Sequence, residues 1–304
     1  MRAGWKLGSA VRKQVFKDKA LLSYMVLSAF VIIMEAVLIF GSFLFVSFPA
    51  FKSNPTSQNN VFLAEAVVAL IIFYVASSFT SAYVLMALFI AFKSYTSGAK
   101  ISMGEAFRKT SSYSRLILEW AIFYSIIILI LRIIESRLRG VGAMVVGIVA
   151  GTALSIGVMF AMPVIYEQRV GPIQAMKISA KTFVGHFGSS VGGIAYSDLY
   201  GLMFALVGFL IAVVFMLLGG FLSSLILIVV GLGLLLLFVI LGATIASTTS
   251  NVFRLLLYDY ASGKGLPAWL DENLVIKAVR YNRGRAPPPS SIKSLTRGIA
   301  LRFK

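Results

Sequence analysis

Glu35 is the residue whose type and setting most invite chemistry. It stands midway along an apolar run, where an ionised carboxylate costs roughly a few kcal/mol unless it faces the protein interior or finds a partner. Tyr74, Ser77, Ser78 and Ser81 recur at i, i+3, i+4 and i+7 and so share one face of a second apolar helix. About 1.5 Å of rise per residue sets Glu35, Ser78 and Ser81 roughly 20 Å deep and Arg132 about 25 Å deep, which makes them candidate neighbours. Such a set would suit a hydrated cavity with a titrating acid, for passage of a proton, cation or amphiphile. It also suits a carboxyl group hydrogen-bonded between two packed helices, and the second reading is preferred. Asp198, at the inner end of a fifth apolar helix, is a weaker candidate of the same kind. Glu65 and Glu119 lie near span ends, and Glu135 falls between Arg132 and Arg139 at ion-pair spacing, so all of these acids are read as structural.

For catalysis the inventory is poor. The chain has one histidine, His186, beside Gly185 and Phe187, and no cysteine. It has no HExxH, no GxSxG, no phosphate-binding GxxxxGK[ST] and no His/Asp pairs at metal-ligand spacing. The expectation is a protein that is not an enzyme and carries no metal or cofactor.

The elements that must position these residues are long and apolar. Of 304 residues, 59% are hydrophobic and 13% charged, which leaves little room for a separate water-soluble domain. Six segments, residues 21–46, 61–92, 116–134, 141–164, 200–218 and 222–246, approach or exceed the roughly 20 residues that cross a bilayer's hydrocarbon core as a helix. The expected fold is therefore all-α and polytopic, with six transmembrane helices and amphipathic helices on the cytoplasmic side. The first apolar run follows a basic stretch and is too long for the core of a cleavable signal, so it is expected to remain in the protein.

The net charge of +17 reads first as topology. With both termini inside, most of the Lys and Arg residues fall on the cytoplasmic side and only Lys52, Arg132, Arg137 and Arg139 fall outside, as expected where basic residues collect in the cytosol. The expected location is the plasma membrane. The same basic rim predicts anionic lipids of the cytoplasmic leaflet as partners, at about 1 kcal/mol per well-placed charge. A protein complex or homo-oligomer is a further partner reading, and nucleic acid is the weakest.

Each pair of spans is introduced by an amphipathic stretch, which suggests three copies of one unit: surface helix, span, outer turn, span. The first stretch groups Leu7, Val11 and Val15 opposite Lys6, Lys13 and Lys17. The second opens with Ser102 and Glu105 at capping-box spacing and is expected to run unbroken into the third span. The third starts at Pro172 and places Ile173, Met176, Ala180, Phe183 and Val184 on a membrane-facing side, with basic Lys177 and Lys181 beside them. In the fourth span Ala143, Gly147, Gly151 and Ser155 form a ridge for close helix packing, and Gly201, Ala205 and Gly208 are candidates to face Gly242, Ala243 and Ala246.

Four regions follow: a basic arm over 1–20, the membrane domain over 21–249, a helical extension over 250–281 and a tail over 282–304. The extension should stop its helix near Gly263, turn at Pro267 and hold a short helix capped by Asp271. The tail joins a stiff Pro-containing linker to a basic helix with Lys293 and Arg297 on its polar face, read either as lying on anionic membrane or docking on a partner, or as a disordered basic tail.

Three stretches, "GWKLGSAVRKQVFKDKALL", "MPVIYEQRVGPIQAMKISAKTF" and "FRLLLYDYASGKGLPAWLDENLVIKAVR", resemble an uncharacterised family of prokaryotic, largely archaeal, six-span membrane proteins catalogued as a domain of unknown function. The resemblance covers roughly residues 4–281 and implies the architecture, with no substrate or catalytic residue. More distantly, the span followed by a Gly-Pro-x-x-Ala helix is similar to membrane domains thought to handle lipids or amphiphiles. The leading functional expectation is a non-enzymatic protein at the cytoplasmic leaflet that binds lipid-like molecules in a lateral cavity or serves as a membrane subunit of a larger assembly. A transporter or channel using Glu35 is the alternative, and a nucleic-acid translocation component the third.

Overall fold

The computed structural model of the chain describes residues 2–53, 55–138, 141–186, 192–267 and 269–270. No strand occurs among the described residues. The helices are α1 (Arg2–Lys17), α2 (Ala20–Ser53), α3 (Pro55–Thr96), α4 (Met103–Thr110), α5 (Ser114–Arg137), α6 (Val141–Val158), α7 (Ala161–Gln168), α8 (Pro172–His186), α9 (Gly192–Phe221) and α10 (Leu225–Ala261). Among the described residues, six helical stretches are long and apolar enough to cross a membrane: Ala20–Ser47, Asn60–Thr96, Met103–Arg137, Val149–Gln168, Leu199–Phe221 and Leu225–Ala261. The protein is thus an all-α, multi-pass membrane protein. Its exposed surface agrees, since large apolar side chains such as Val37, Leu210 and Ile226 stand outward along these helices.

The chain divides into two compact units. The first comprises Met1–Val26, Phe92–Ala99 and Ala180–Lys304. Within it Leu7, Val11 and Val15 of α1 are buried. Leu7 and Val11 close on Phe253, Leu256 and Leu257 of α10, with Leu266 and Leu270 from the segment beyond it. The apolar face of this helix is therefore taken up by protein, while Lys6, Lys13 and Lys17 remain exposed. Arg12 lies 4.0 Å over the Tyr200 ring of α9.

The α9–α10 hairpin owes its closeness to small residues. A Cβ added at Gly201 would come within 2.8 Å of Ala246 Cβ and 2.9 Å of the Gly242 carbonyl oxygen, and one added at Gly242 within 2.6 Å of the Gly201 carbonyl. Backbones can approach this far only where side chains are missing. Gly201, Gly242 and Ala246 thus face one another as the small-residue pattern suggested, whereas Ala243 is exposed. α10 continues past the expected end of the sixth span to Ala261 and closes at Gly263, whose φ is 73°.

The second unit comprises Leu27–Ala91 and Lys100–Ser179. The Ser102 side chain accepts the Glu105 amide at 3.2 Å and caps α4 as its spacing predicts. The helix does not, however, run unbroken into α5: a 3-10 turn at Ser111–Tyr113 intervenes. Thr110, Ser111 and Ser112 all donate their hydroxyls to carbonyls three or four residues back, competing with the helical ladder.

The fourth apolar segment is also broken. α6 ends at Val158 and α7 begins at Ala161. Pro163 explains the position, because it has no N–H for the Met159 carbonyl and its ring would collide with that carbonyl. Ser179 of α8 bridges the break: its Oγ accepts the Phe160 amide at 2.9 Å and donates to the Ile156 carbonyl at 3.3 Å. On α8, Ala175, Ser179 and Phe183 are buried, while Ile173 and Val184 are 58% and 63% exposed.

Candidate functional site

Among the residues singled out for chemistry, Glu35 occupies the seam between α2 and α3. Its Oε1 accepts a hydrogen bond from Thr80 Oγ. Oε2 is shielded and has no hydrogen-bond partner among the described residues. The Phe40 and Phe73 rings touch further along the same seam, with centroids 5.3 Å apart.

The serine stripe turns elsewhere. Ser125 of α5 donates to the Tyr74 carbonyl at 3.0 Å and lies 3.1 Å from the Ser78 hydroxyl. Ser77 donates to the Tyr74 carbonyl at 3.3 Å, and Ser81 is exposed. Ser78 and Thr80, two residues apart, point to nearly opposite sides of α3. The helix therefore satisfies α2 with Thr80 and α5 with Ser78. Thr80 escaped the sequence reading; its heptad spacing from Phe73, which places both on the α2-facing side, is the signal that could have found it.

Arg132 is bound to Glu135 at 3.2 Å, with its side chain 70% exposed, and so serves the local ion pair rather than Glu35. Glu135 in turn lies over Gly147, whose missing Cβ would sit 3.3 Å from its Oε1. Further along that ridge Gly151 faces open space and Ser155 is exposed. Lys177 and Lys181 are exposed on α8. The side chains of Ala143, His186 and Asp198, together with Arg139, Asp271, Lys293, Arg297 and the whole 271–304 segment, lie outside what is described.

Alongside the aromatic contact, α2 and α3 leave a lateral groove of about 670 Å³. From α2 it is lined by Leu38, Ile39, Ser42, Phe43, Val46 and Ser47. From α3 it is lined by Ala64, Glu65, Val68, Ala69 and Ile72. The size is that of a site for a small apolar ligand. Phe43 and Phe62, 5.1 Å apart, approach across it toward the end nearer the α2–α3 turn. Since Leu38, Val46, Val68 and Ile72 are all more than half exposed, the groove opens sideways onto the apolar surface.

Two arrangements escaped the sequence reading. Lys93 at the end of α3 bonds Asp259 of α10 at 2.9 Å, with side chains 26% and 11% exposed. Arg169, which ends α7 with φ 51°, lays its guanidinium 4.5 Å over the Tyr113 ring, and the Tyr113 hydroxyl donates to the Tyr166 carbonyl at 3.3 Å. Both are held by protein groups and read as packing devices. No three of His, Asp and Glu gather at metal-ligand distance among the described residues.

A family model described as a family of unknown function matches residues 63–266. The matched stretch contains the whole "MPVIYEQRVGPIQAMKISAKTF" motif and begins after "GWKLGSAVRKQVFKDKALL". No curated protein and no solved structure matches the chain.

Proposed function

The chain belongs to the DUF6159 family of unknown function, and from that premise we propose that it is a non-enzymatic membrane protein that binds a lipid-like amphiphile in the groove between α2 and α3. The groove itself carries the reading. Its walls are mostly apolar, it opens toward hydrocarbon, and it runs from Leu38 to Ser47, about 14 Å of helix at 1.5 Å per residue. That length is close to half the roughly 30 Å hydrocarbon core, so one acyl chain from one leaflet fits it.

On the positive-inside reading, with both termini cytosolic in the plasma membrane, the groove belongs to the outer leaflet rather than to the cytoplasmic one where the lateral cavity was expected. The exposed Lys6, Lys13 and Lys17 of α1 then rest against anionic head groups of the inner one. The test is lipid retention in native mass spectrometry after detergent exchange. The wild type should keep a single-lipid adduct, and Ser42→Trp, which fills the groove from an exposed position, should lose it. Equal retention by both would remove the groove from the function.

The alternative reading, a proton or cation pathway through Glu35, draws on the shielded and unpartnered Oε2. It requires a flux across proteoliposomes that Glu35→Gln abolishes. A flux unaffected by that change, or none in either protein, would exclude it.

A further inference from the structure

Building on the groove reading, we propose that its occupant carries a cationic head group, a protonated amine or quaternary ammonium, that seats against Glu65. Glu65 is the one charged residue among the described residues that line the groove. It stands one turn beyond Val68, Ala69 and Ile72 on the same face of α3, at i, i+3, i+4 and i+7, so its carboxylate terminates the apolar wall rather than interrupting it. That end lies toward the α2–α3 turn, where Val46 and Ser47 finish the opposite wall. An acyl chain lying along Ile39, Ser42 and Ala69 would therefore bring its head group to the level of Glu65.

Charge then selects among head groups. Among the described residues Glu65 is exposed with no ion pair or hydrogen bond, and no described Lys or Arg lines the groove. This is uncommon in a chain with 28 Lys and Arg against 11 Asp and Glu. A phosphate or carboxylate head group would meet a like charge at the rim of a low-dielectric wall, whereas an ammonium would gain an ion pair there. Quaternary ammonium and primary amine satisfy the carboxylate alike, the first by charge alone and the second also by hydrogen bonds.

The test uses the full chain in nanodiscs of zwitterionic lipid with two photoactivatable probes, a long-chain alkyl amine and the carboxylic acid of the same chain. Crosslinked peptides are mapped by mass spectrometry. The amine should label residues 38–47 and 64–72 about tenfold more than the acid. Glu65→Gln should bring the two to parity and Glu65→Lys should reverse the order, with both variants eluting as the wild type does. Equal labelling by both probes in the wild type would overturn the head-group assignment and leave the groove reading standing. Absence of label from these residues with either probe would overturn both.

Discussion

Lys93 Nζ and Asp259 Oδ1 meet at 2.9 Å, tying the last turns of α3 and α10 together within one unit. Removing one member of a largely buried pair strands the other, at a typical cost of about 3–5 kcal/mol that the partial exposure of Lys93 reduces to roughly 2–3. Asp259→Ala should therefore lower the thermal midpoint in detergent clearly. The double change Lys93→Met with Asp259→Leu should be milder than Asp259→Ala alone. An Asp259→Ala midpoint equal to the wild type would show that the pair contributes nothing.

The α9–α10 contact makes a sharper comparison, because two glycines of α10 meet different surroundings. Gly242 faces the Gly201 backbone, whereas nothing lies within 4 Å of a Cβ at Gly233. Gly242→Ala should destabilise by about 1–3 kcal/mol through overpacking. Gly233→Ala should be neutral or stabilising by up to roughly 1 kcal/mol through helix propensity. Thermal midpoints of the two variants in one detergent decide it, and equal shifts would argue against the close approach.

At the broken fourth segment, Ser179→Ala leaves the buried Phe160 amide without its acceptor. The expected loss is about 1–3 kcal/mol. Hydrogen–deuterium exchange should accelerate over residues 156–164 more than over α5. Unchanged exchange at Phe160 would mean that the amide has another partner.

Thr80→Val removes the one hydrogen bond of Glu35 Oε1 and should cost about 1–3 kcal/mol. Glu35→Met added to Thr80→Val should recover part of that loss, since both partners are then apolar. Ser78→Ala, acting toward α5, should be additive with Thr80→Val in the same melting assay, because the two hydroxyls serve different neighbours. Strong coupling between them would place Ser78 and Glu35 in one network.

How far each feature could be read from the residues depends on whether its cause is local. Six crossings follow from run length, because bilayer thickness sets a number that counting can meet. The Ser102 cap, the Pro172 helix start and the end of α10 near Gly263 follow from backbone chemistry within a few residues. The Gly201, Gly242 and Ala246 contact was visible as small residues on two adjacent spans. Pro163 also stood in view, although an otherwise apolar run concealed the break it causes at Met159 and Phe160.

Which side chains meet was settled only in three dimensions. In helices apolar on nearly every side, the pattern does not specify the rotation of one about its axis relative to the next, so the serine stripe of α3 drew attention while Thr80 took Glu35. Ser179 and Asp259 find their partners 19 and 166 residues away, and the α2–α3 groove draws its walls from two separate helices. Length, charge and propensity act along the chain and are written in it; helix rotation and separation arise from the packing of many side chains at once, which no single stretch of sequence contains.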